Sequence, residues 1–312
     1  MNKLKVIFMG TPDFAVPCLK ALHKNHEILA VITQPDRRKG RGQKVIYSPV
    51  KEFASSVNLT VLQPEKIKTD EFEDLIESLQ PDLIVVVAFG QILSKRILDI
   101  PVLGCINVHA SLLPMLRGAA PIHWAVINGE KKTGVTTMFM DVGLDTGDML
   151  LKKDVYIADE DDTGVIHDKL MILGAETLLE TITLLQTNKL SRVKQDESKS
   201  TYAPLLTKKL EKITWDKDAL QIHNLIRGLS PWPGSYCMNK EAVLKLWKSK
   251  VVNEEPHSYE PGTVIDFTKN GFIVAAGEGM LEIMEVQPAN KRRMHAKDYI
   301  NGHGIRLNDV LK

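Results

Sequence analysis

Cysteine is scarce in this 312-residue sequence: Cys18, Cys105 and Cys237 lie far apart. Without paired spacing there is no disulfide framework and no thiolate zinc site, and the pattern suits a reducing cytosol. Excess charge is lacking too, since 40 Lys plus Arg against 39 Asp plus Glu leave +1. Bulk charge therefore points to no polyanionic partner, and any nucleic-acid contact has to come from a local patch. The longest apolar run, Leu83 to Phe89, is too short to cross a bilayer. Near the start, Lys3 and Lys5 precede only Val6-Ile7-Phe8-Met9 before Gly10, so no signal peptide is expected. A soluble cytoplasmic protein with no membrane partner is the expectation. The common phosphate fingerprints are missing as well. The turn Met9-Gly10-Thr11-Pro12-Asp13-Phe14 holds one glycine where a dinucleotide site needs G-x-G-x-x-G, and no G-x-x-x-x-G-K-[ST] occurs.

What is present is an ordinary globular composition, 44% hydrophobic and 25% charged, on a chain long enough for two domains. Leu4–Met9, Ile28–Thr33, Thr60–Leu62, Leu83–Ala88, Cys105–His109 and Val135–Met140 read as strands. Helical patterns at Phe14–Leu22 (with Asp13 as its N-cap), Pro49–Val57, Asp70–Leu79, Pro121–Ile127 and Gly164–Leu185 alternate with them. Leu83–Ala88 is apolar on both faces, the mark of a central parallel strand. The alternation predicts an α/β fold with a doubly wound, mostly parallel Rossmann-like sheet, whose ligands lie beyond the carboxyl strand ends. The polar stretch Gln186–Tyr202 reads as a linker. Beyond it come a helix at Ala219–Arg227 and short strands at Tyr236–Met238, Val243–Trp247, Gly262–Phe267, Phe272–Ala276 and Met280–Val286. Lys269-Asn270-Gly271 signals a hairpin between two of them. A C-terminal β-barrel, OB-like, is expected. The predicted domains are 1–188 and 207–312, joined by 189–206.

The strongest constellation is Asn107-Val108-His109-Ala110-Ser111-Leu112-Leu113-Pro114, followed by Arg117-Gly118-Ala119-Ala120-Pro121. Asn107 and His109 are two apart at a strand end, so their side chains share a face. Either residue alone reads as a satisfied polar group; together with a turn signal they read as a site. Gly143-Leu144-Asp145-Thr146-Gly147-Asp148 adds two carboxylates on a Gly-flanked loop, and Asp145 matters if it packs against His109. Asp36–Lys44 carries five cationic residues, Arg37, Arg38, Lys39, Arg41 and Lys44. It is either a solvated charge run or a phosphate-binding loop.

These residues resemble the methionyl-tRNA formyltransferase family along nearly the whole chain. The likeness rests on Gly10–Ala15, Gln34–Arg37, Gly40-Arg41-Gly42, Asn107–Pro114, Gly143–Asp148, Thr201–Pro204, Trp215, and Ile226-Arg227 leading into Ser230–Gly234. One departure is Met115-Leu116, where the family commonly has a basic and then an aromatic residue. The resemblance implies transfer of a formyl group from 10-formyltetrahydrofolate to the α-amino group of methionyl initiator tRNA, without a metal. It implies a catalytic set of Asn107, His109 and Asp145, folate contact through Ser111, Leu112, Leu113 and Pro114, and tRNA contact through Arg37, Arg38, Lys39, Arg41 and Lys44. It further implies a catalytic domain at 1–188 and a tRNA-binding β-domain at 207–312, acting as a monomer. The rival readings are formylation of a small amine such as an amino-sugar nucleotide, hydrolysis of the folate, and an RNA-binding module with a dead core. The basic loop and the second domain argue against the first rival, and the intact Asn107, His109 and Asp145 against the last.

Overall fold

The computed structural model describes residues 2–39 and 44–312, with the side chains of 38, 39 and 44 left outside the description. The chain divides into two compact units that are not continuous in sequence. Unit 1 comprises Met1–Gly118, Gly134–Val155 and His167–Tyr202; unit 2 comprises Ala119–Thr133, Tyr156–Ile166 and Ala203–Lys312.

The sheet of unit 1 is built on β1 (Lys5–Gly10) and β6 (Leu83–Val87). All five residues of β6 are buried, because both of its faces are covered and neither can carry polar side chains. β1 pairs in parallel with β2 (Glu27–Ile32) and β6, β2 with β5 (Val61–Leu62), and β6 with β7 (Cys105–His109). β9 (Lys132–Phe139) then joins β7 antiparallel, and β10 (Met149–Tyr156) closes the order β10-β9-β7-β6-β1-β2-β5. The mostly parallel α/β sheet expected from the sequence is present. Two short ladders flank it: β3 (Arg37–Lys39) with β4 (Lys44–Ile46), and β8 (Arg117–Gly118) with β11 (Tyr202–Ala203).

Three of this unit's helices start where short polar side chains cap them. Ser48 accepts from Lys51 N ahead of α2 (Pro49–Ser56), Thr69 from Phe72 N ahead of α3 (Asp70–Ser78), and Ser94 from Ile97 N ahead of α4 (Lys95–Asp99). Asp13 does not cap α1 (Val16–Asn25). It opens a short 3-10 turn, Asp13–Ala15, and accepts from Phe14 N, so α1 begins with Ala15 at its cap and no side-chain bond there. Ile7, Met9, Ile32, Ile84, Val86 and Cys105 form one apolar cluster with Ile76 and Ile97 of α3 and α4. Burial at these positions, about 1.5–3 kcal/mol for each large aliphatic side chain, anchors the strands whose carboxyl ends carry the polar residues.

Unit 2 is organised around the antiparallel order β12 (Ser235–Asn239), β13 (Ala242–Asn253), β16 (Met280–Pro288), β15 (Phe272–Ala275), β14 (Val264–Phe267), with β17 (Met294–His295) on β16. The Lys269-Asn270-Gly271 turn joins β14 to β15 as expected, with Thr268 Oγ1 accepting from both Asn270 N and Gly271 N. The two outer strands are not paired directly in a closing ladder among the described residues. Residues 308–312 run between them instead. Asn308 N donates to Val264 O, Leu311 N to Gly262 O and Lys312 N to Met238 O. The unit is therefore barrel-like, with a core of Trp215, Leu244, Leu246, Phe272, Leu281 and Ile283.

Candidate active site

Period-two alternation along β7 puts Asn107 and His109 on one face at the carboxyl end of the central strands, where Asn107 sits beside Val86 and Met138 in register. Asn107 is half-buried and His109 is 7% exposed. The two ring nitrogens of His109 have different surroundings. Nε2 lies 3.0 Å from the Leu116 carbonyl oxygen. A carbonyl only accepts, so that nitrogen carries a proton. Nδ1 lies 3.6 Å from Asp145 Oδ2. The same Asp145 oxygen accepts from Gly118 N at 2.8 Å. The loop Leu116-Arg117-Gly118 therefore touches both members of the pair, holding His109 from one side and Asp145 from the other.

The backbone here is bent into left-handed conformations that non-glycine residues seldom adopt. Ala88 after β6 has φ +46°, Leu116 +58° and Asp145 +55°. Each costs on the order of 1–2 kcal/mol, and each needs surrounding bonds to hold it. For Leu116 and Arg117 these come from Thr201, whose Oγ1 accepts from Leu116 N at 2.8 Å and whose carbonyl accepts from Arg117 N at 2.9 Å. For Asp145 they come from Gln195, whose Nε2 donates to the Asp145 carbonyl at 2.7 Å and to the Gly147 carbonyl at 2.9 Å. Gln195 Oε1 accepts from Arg117 Nε and Nη2, and Glu197 takes Arg117 Nη1 and Nη2 at 2.9 and 2.8 Å. The Arg117 guanidinium holds the Glu197 carboxyl below the usual carboxylate range, and Glu197 raises Arg117 in turn. The polar stretch that reads as a linker is tied to the rest of unit 1 at Gln195, Glu197 and Thr201, and Val193 also bridges Met149 in both directions.

The turn after His109 is rigid. Ser111 and Leu113 are fully buried, Leu112 and Pro114 are half-buried, and Met115 is exposed. Ser111 Oγ donates to Met115 O at 2.6 Å, and Thr136 Oγ1 bridges the Ser111 carbonyl and the Leu113 amide. Lys152 Nζ donates to Leu113 O at 2.5 Å, and burial pushes its ammonium below the ordinary lysine value. Ser111 and Leu113 thus shape the turn from inside, and Leu112, Pro114 and Met115 form its accessible side.

The basic segment starts at the same edge of the sheet. Gln34 Nε2 donates to Phe89 O, and Asp36 is bonded to Lys51 Nζ and to Gln63 Nε2. Those bonds, Lys51 first, draw the Asp36 carboxyl below its ordinary value. Arg37 follows, exposed, and the backbone of Arg37–Lys39 pairs antiparallel with that of Lys44–Ile46. Arg41 lies with 40–43 outside the described residues, and for Arg38, Lys39 and Lys44 only the backbone is described.

In unit 2, Trp232 is 43% exposed, its ring 5.9 Å from that of His123 in an edge-on arrangement. The cysteines are all buried and free, and desolvation pushes each thiol up to about 12, so they are poor nucleophiles. Among the described residues no cluster of His, Cys, Asp or Glu is arranged to hold a metal ion, and no helix is long and apolar enough to cross a membrane.

Arg117, Gly118, Gln195 and Thr201 escaped sequence reasoning as members of the site. Arg117-Gly118 stood inside a noticed motif with no role attached. Gln195 carries no local signal, because its partners lie about 50 and 78 positions away.

Residues 2–182 match the family model described as formyl transferase, and residues 205–304 that of the formyl transferase C-terminal domain. The class is thereby set: a formyl transferase with both parts of that architecture. Solved structures agree on the fold. An N-formyltransferase from Helicobacter canadensis, in complex with folinic acid and dTDP-3-aminofucose, superposes with TM-score 0.69 at 21% identity over 90% of this chain and 99% of that one. A sugar 3N-formyl transferase, in the presence of dTDP and 5-N-formyl-THF, gives 0.67 at 22% identity over 94% of this chain and 100% of that one. Sequence relatives are much nearer. Methionyl-tRNA formyltransferase of Clostridium botulinum is 53% identical over 309 residues, and that of Alkaliphilus oremlandii 52%, each alignment covering 99% of both chains. The chain belongs to the methionyl-tRNA formyltransferase family.

Proposed function

We propose that Asn107, His109 and Asp145 carry the transfer of a formyl group from 10-formyltetrahydrofolate to the α-amino group of methionyl initiator tRNA. That activity follows from relatives about half identical over the full length. The observation that supports the residue assignment is the pairing of buried His109 with buried Asp145 at a parallel-strand carboxyl end, beside the half-buried Asn107 amide.

The chemistry fits these groups. A free α-amino group has a pKa of about 7.7–8.0, so an appreciable minority is neutral near pH 7 and no strong base is needed before attack. As the amine adds, charge develops on the formyl oxygen, and a preorganised donor stabilises it. The Asn107 amide is that donor, since both His109 nitrogens face partners already. As the amine becomes acidic, Asp145 with His109 receives its proton. 10-Formyltetrahydrofolate supplies the activated formyl group: as the tetrahedral adduct collapses, the bond from the formyl carbon to the folate nitrogen breaks, and that nitrogen leaves with the proton returned by the His109–Asp145 pair. The half-buried Leu112 and Pro114 and exposed Met115 beside these polar residues suit a flat, largely apolar ligand, while Ser111 and Leu113 keep that surface in shape. The segment of sequence carrying Arg37, Arg38, Lys39, Arg41 and Lys44 is the proposed tRNA phosphate contact, and unit 2, with residues 207–312, is the proposed second surface. We propose further that the protein acts as a monomer, all three catalytic side chains coming from one unit. An aminoacyl-tRNA substrate supports the cytoplasm as its location.

A gel assay separating methionyl-tRNA from formylmethionyl-tRNA, run with and without 10-formyltetrahydrofolate, tests the reading. Folate-dependent formylation of the tRNA is expected. Formylation of a nucleotide-linked amino sugar with none of methionyl-tRNA would favour the small-amine reading instead.

A further inference from the structure

We infer that Gln195 is a positioning residue for the formyl transfer, acting through Asp145. The inference rests on the catalytic role proposed for Asp145.

A glutamine amide has two N–H donors and an oxygen with two lone pairs. Gln195 is 4% exposed and uses all four: two donations to the Asp145 and Gly147 carbonyls, and two acceptances from Arg117. Such a fully satisfied buried amide has one orientation, because a flip would set N–H groups against guanidinium and oxygen against carbonyls. Its two donations clasp the residues on either side of Thr146. They hold the backbone that leaves Asp145 at φ +55°. Its two acceptances fix Arg117, whose neighbours Leu116 and Gly118 bond His109 and the Asp145 carboxylate. One side chain therefore ties together the two loops that aim the His109–Asp145 pair. Among the described residues no other hydrogen bond reaches the Asp145 carbonyl, so without Gln195 the strained backbone is released and the carboxylate shifts. A displacement of about 1 Å at a reacting group costs up to about 100-fold in rate.

The test is a double-mutant cycle with an exchange measurement. Gln195→Ala and the space-filling Gln195→Met should lower kcat about 10- to 100-fold and leave KM for the folate within about 2-fold. Arg117→Lys, which loosens the same network without opening a cavity, should give a smaller loss of the same kind. In an Asp145→Asn background, Gln195→Met should cost less than about 2-fold more, because residues acting through one another are not additive. Hydrogen exchange at the Gly118 amide should quicken at least about 10-fold in Gln195→Met, since its acceptor has moved. A Gln195 loss of equal size in both backgrounds, or an unchanged Gly118 exchange rate, would overturn the inference. Wild-type turnover by Asp145→Asn alone would instead overturn the role of Asp145, with Gly118 exchange still reporting whether Gln195 holds its carboxylate.

Discussion

Asp145 Oδ2 stands 3.6 Å from His109 Nδ1, and the residues that hold each of the two, Gly118 and Leu116, are separated in the chain by Arg117 alone. The pair is thus aimed by one short loop, and its geometry depends on segments far apart in sequence.

Removing either member should abolish most turnover and spare the fold. His109→Ala and Asp145→Asn are expected to lose about 10²–10⁴ in kcat, the range for a positioned acid or base. Asn107→Ala is expected to lose about 10²–10³, the range for an oxyanion donor. Single-turnover formylation with pure protein, checked by near-UV circular dichroism, measures all three. Wild-type turnover by any one of them removes that residue from the set.

The Asp145 loop is also constrained by a glycine. A Cβ at Gly147 would lie 1.8 Å from the Phe139 carbonyl oxygen, a backbone atom that cannot swing aside. Phe139 is itself fixed by its N–H bond to Asp148 O. Gly147→Ala should therefore destabilise the protein by about 1–3 kcal/mol, the ordinary cost of overpacking, and lower kcat as the loop shifts. Urea denaturation beside a turnover assay checks both effects, and an unchanged midpoint would show that the loop has room to move.

How much of this was legible beforehand follows the periodicities. β1, β6 and β7 are continuous apolar runs and announce themselves; Asn107 and His109 share a face by strand alternation, and that pairing is present. β10 was missed because Lys152, Lys153 and Asp154 break its apolar pattern, and in the structure its second half alternates between half-buried and exposed residues at the sheet edge. Gln186–Tyr202 reads as a linker because most of its residues are polar. Within it, Gln195, Glu197 and Thr201 instead bond Asp145, Arg117 and Leu116. Polar contacts across such separations leave no local pattern to read.

Unit 2 should carry a proton-linked loss of stability at His223. The ring is buried, with Nδ1 3.0 Å from Ser249 Oγ and Nε2 3.1 Å from the Asp159 carbonyl. Burial, assisted by the nearby Arg227 charge, pulls its pKa below the ordinary 6.5 and outweighs the raising effect of Asp159. The folded state then refuses a proton that the unfolded chain accepts, so stability falls as pH drops from about 6.5 toward the lower folded value. Below that value the loss stops growing. One such group contributes at most about 1.4 kcal/mol per pH unit. His223→Gln should flatten the slope of unfolding free energy between pH 6.5 and 5 relative to the wild type; identical slopes would mean that His223 titrates alike in both states.

The basic segment Arg37–Lys44 should act on tRNA through phosphates. Its base is anchored, because Asp36 is bonded by Lys51 and Gln63 and Gln34 by the Phe89 carbonyl, all at the strand edge that carries the candidate site. Arg37 leaves that anchor exposed, and Gly40 and Gly42 flank Arg41 in the sequence. A cation set between two glycines has the backbone freedom to meet an acceptor-end phosphate. Removing one cation that neutralises a phosphate should reduce the slope of log K against log salt by about 1 or less. Arg41→Ala should therefore weaken tRNA binding most visibly at low salt and leave the affinity for a formyltetrahydrofolate analogue unchanged. If Arg41 also orients the methionyl ester, kcat falls together with affinity, because an interaction stronger in the transition state than in the ground state is lost. Filter binding across a salt series, with kcat measured at saturating tRNA, separates the two effects. An unchanged affinity, slope and kcat would make the segment a solvated run of charge.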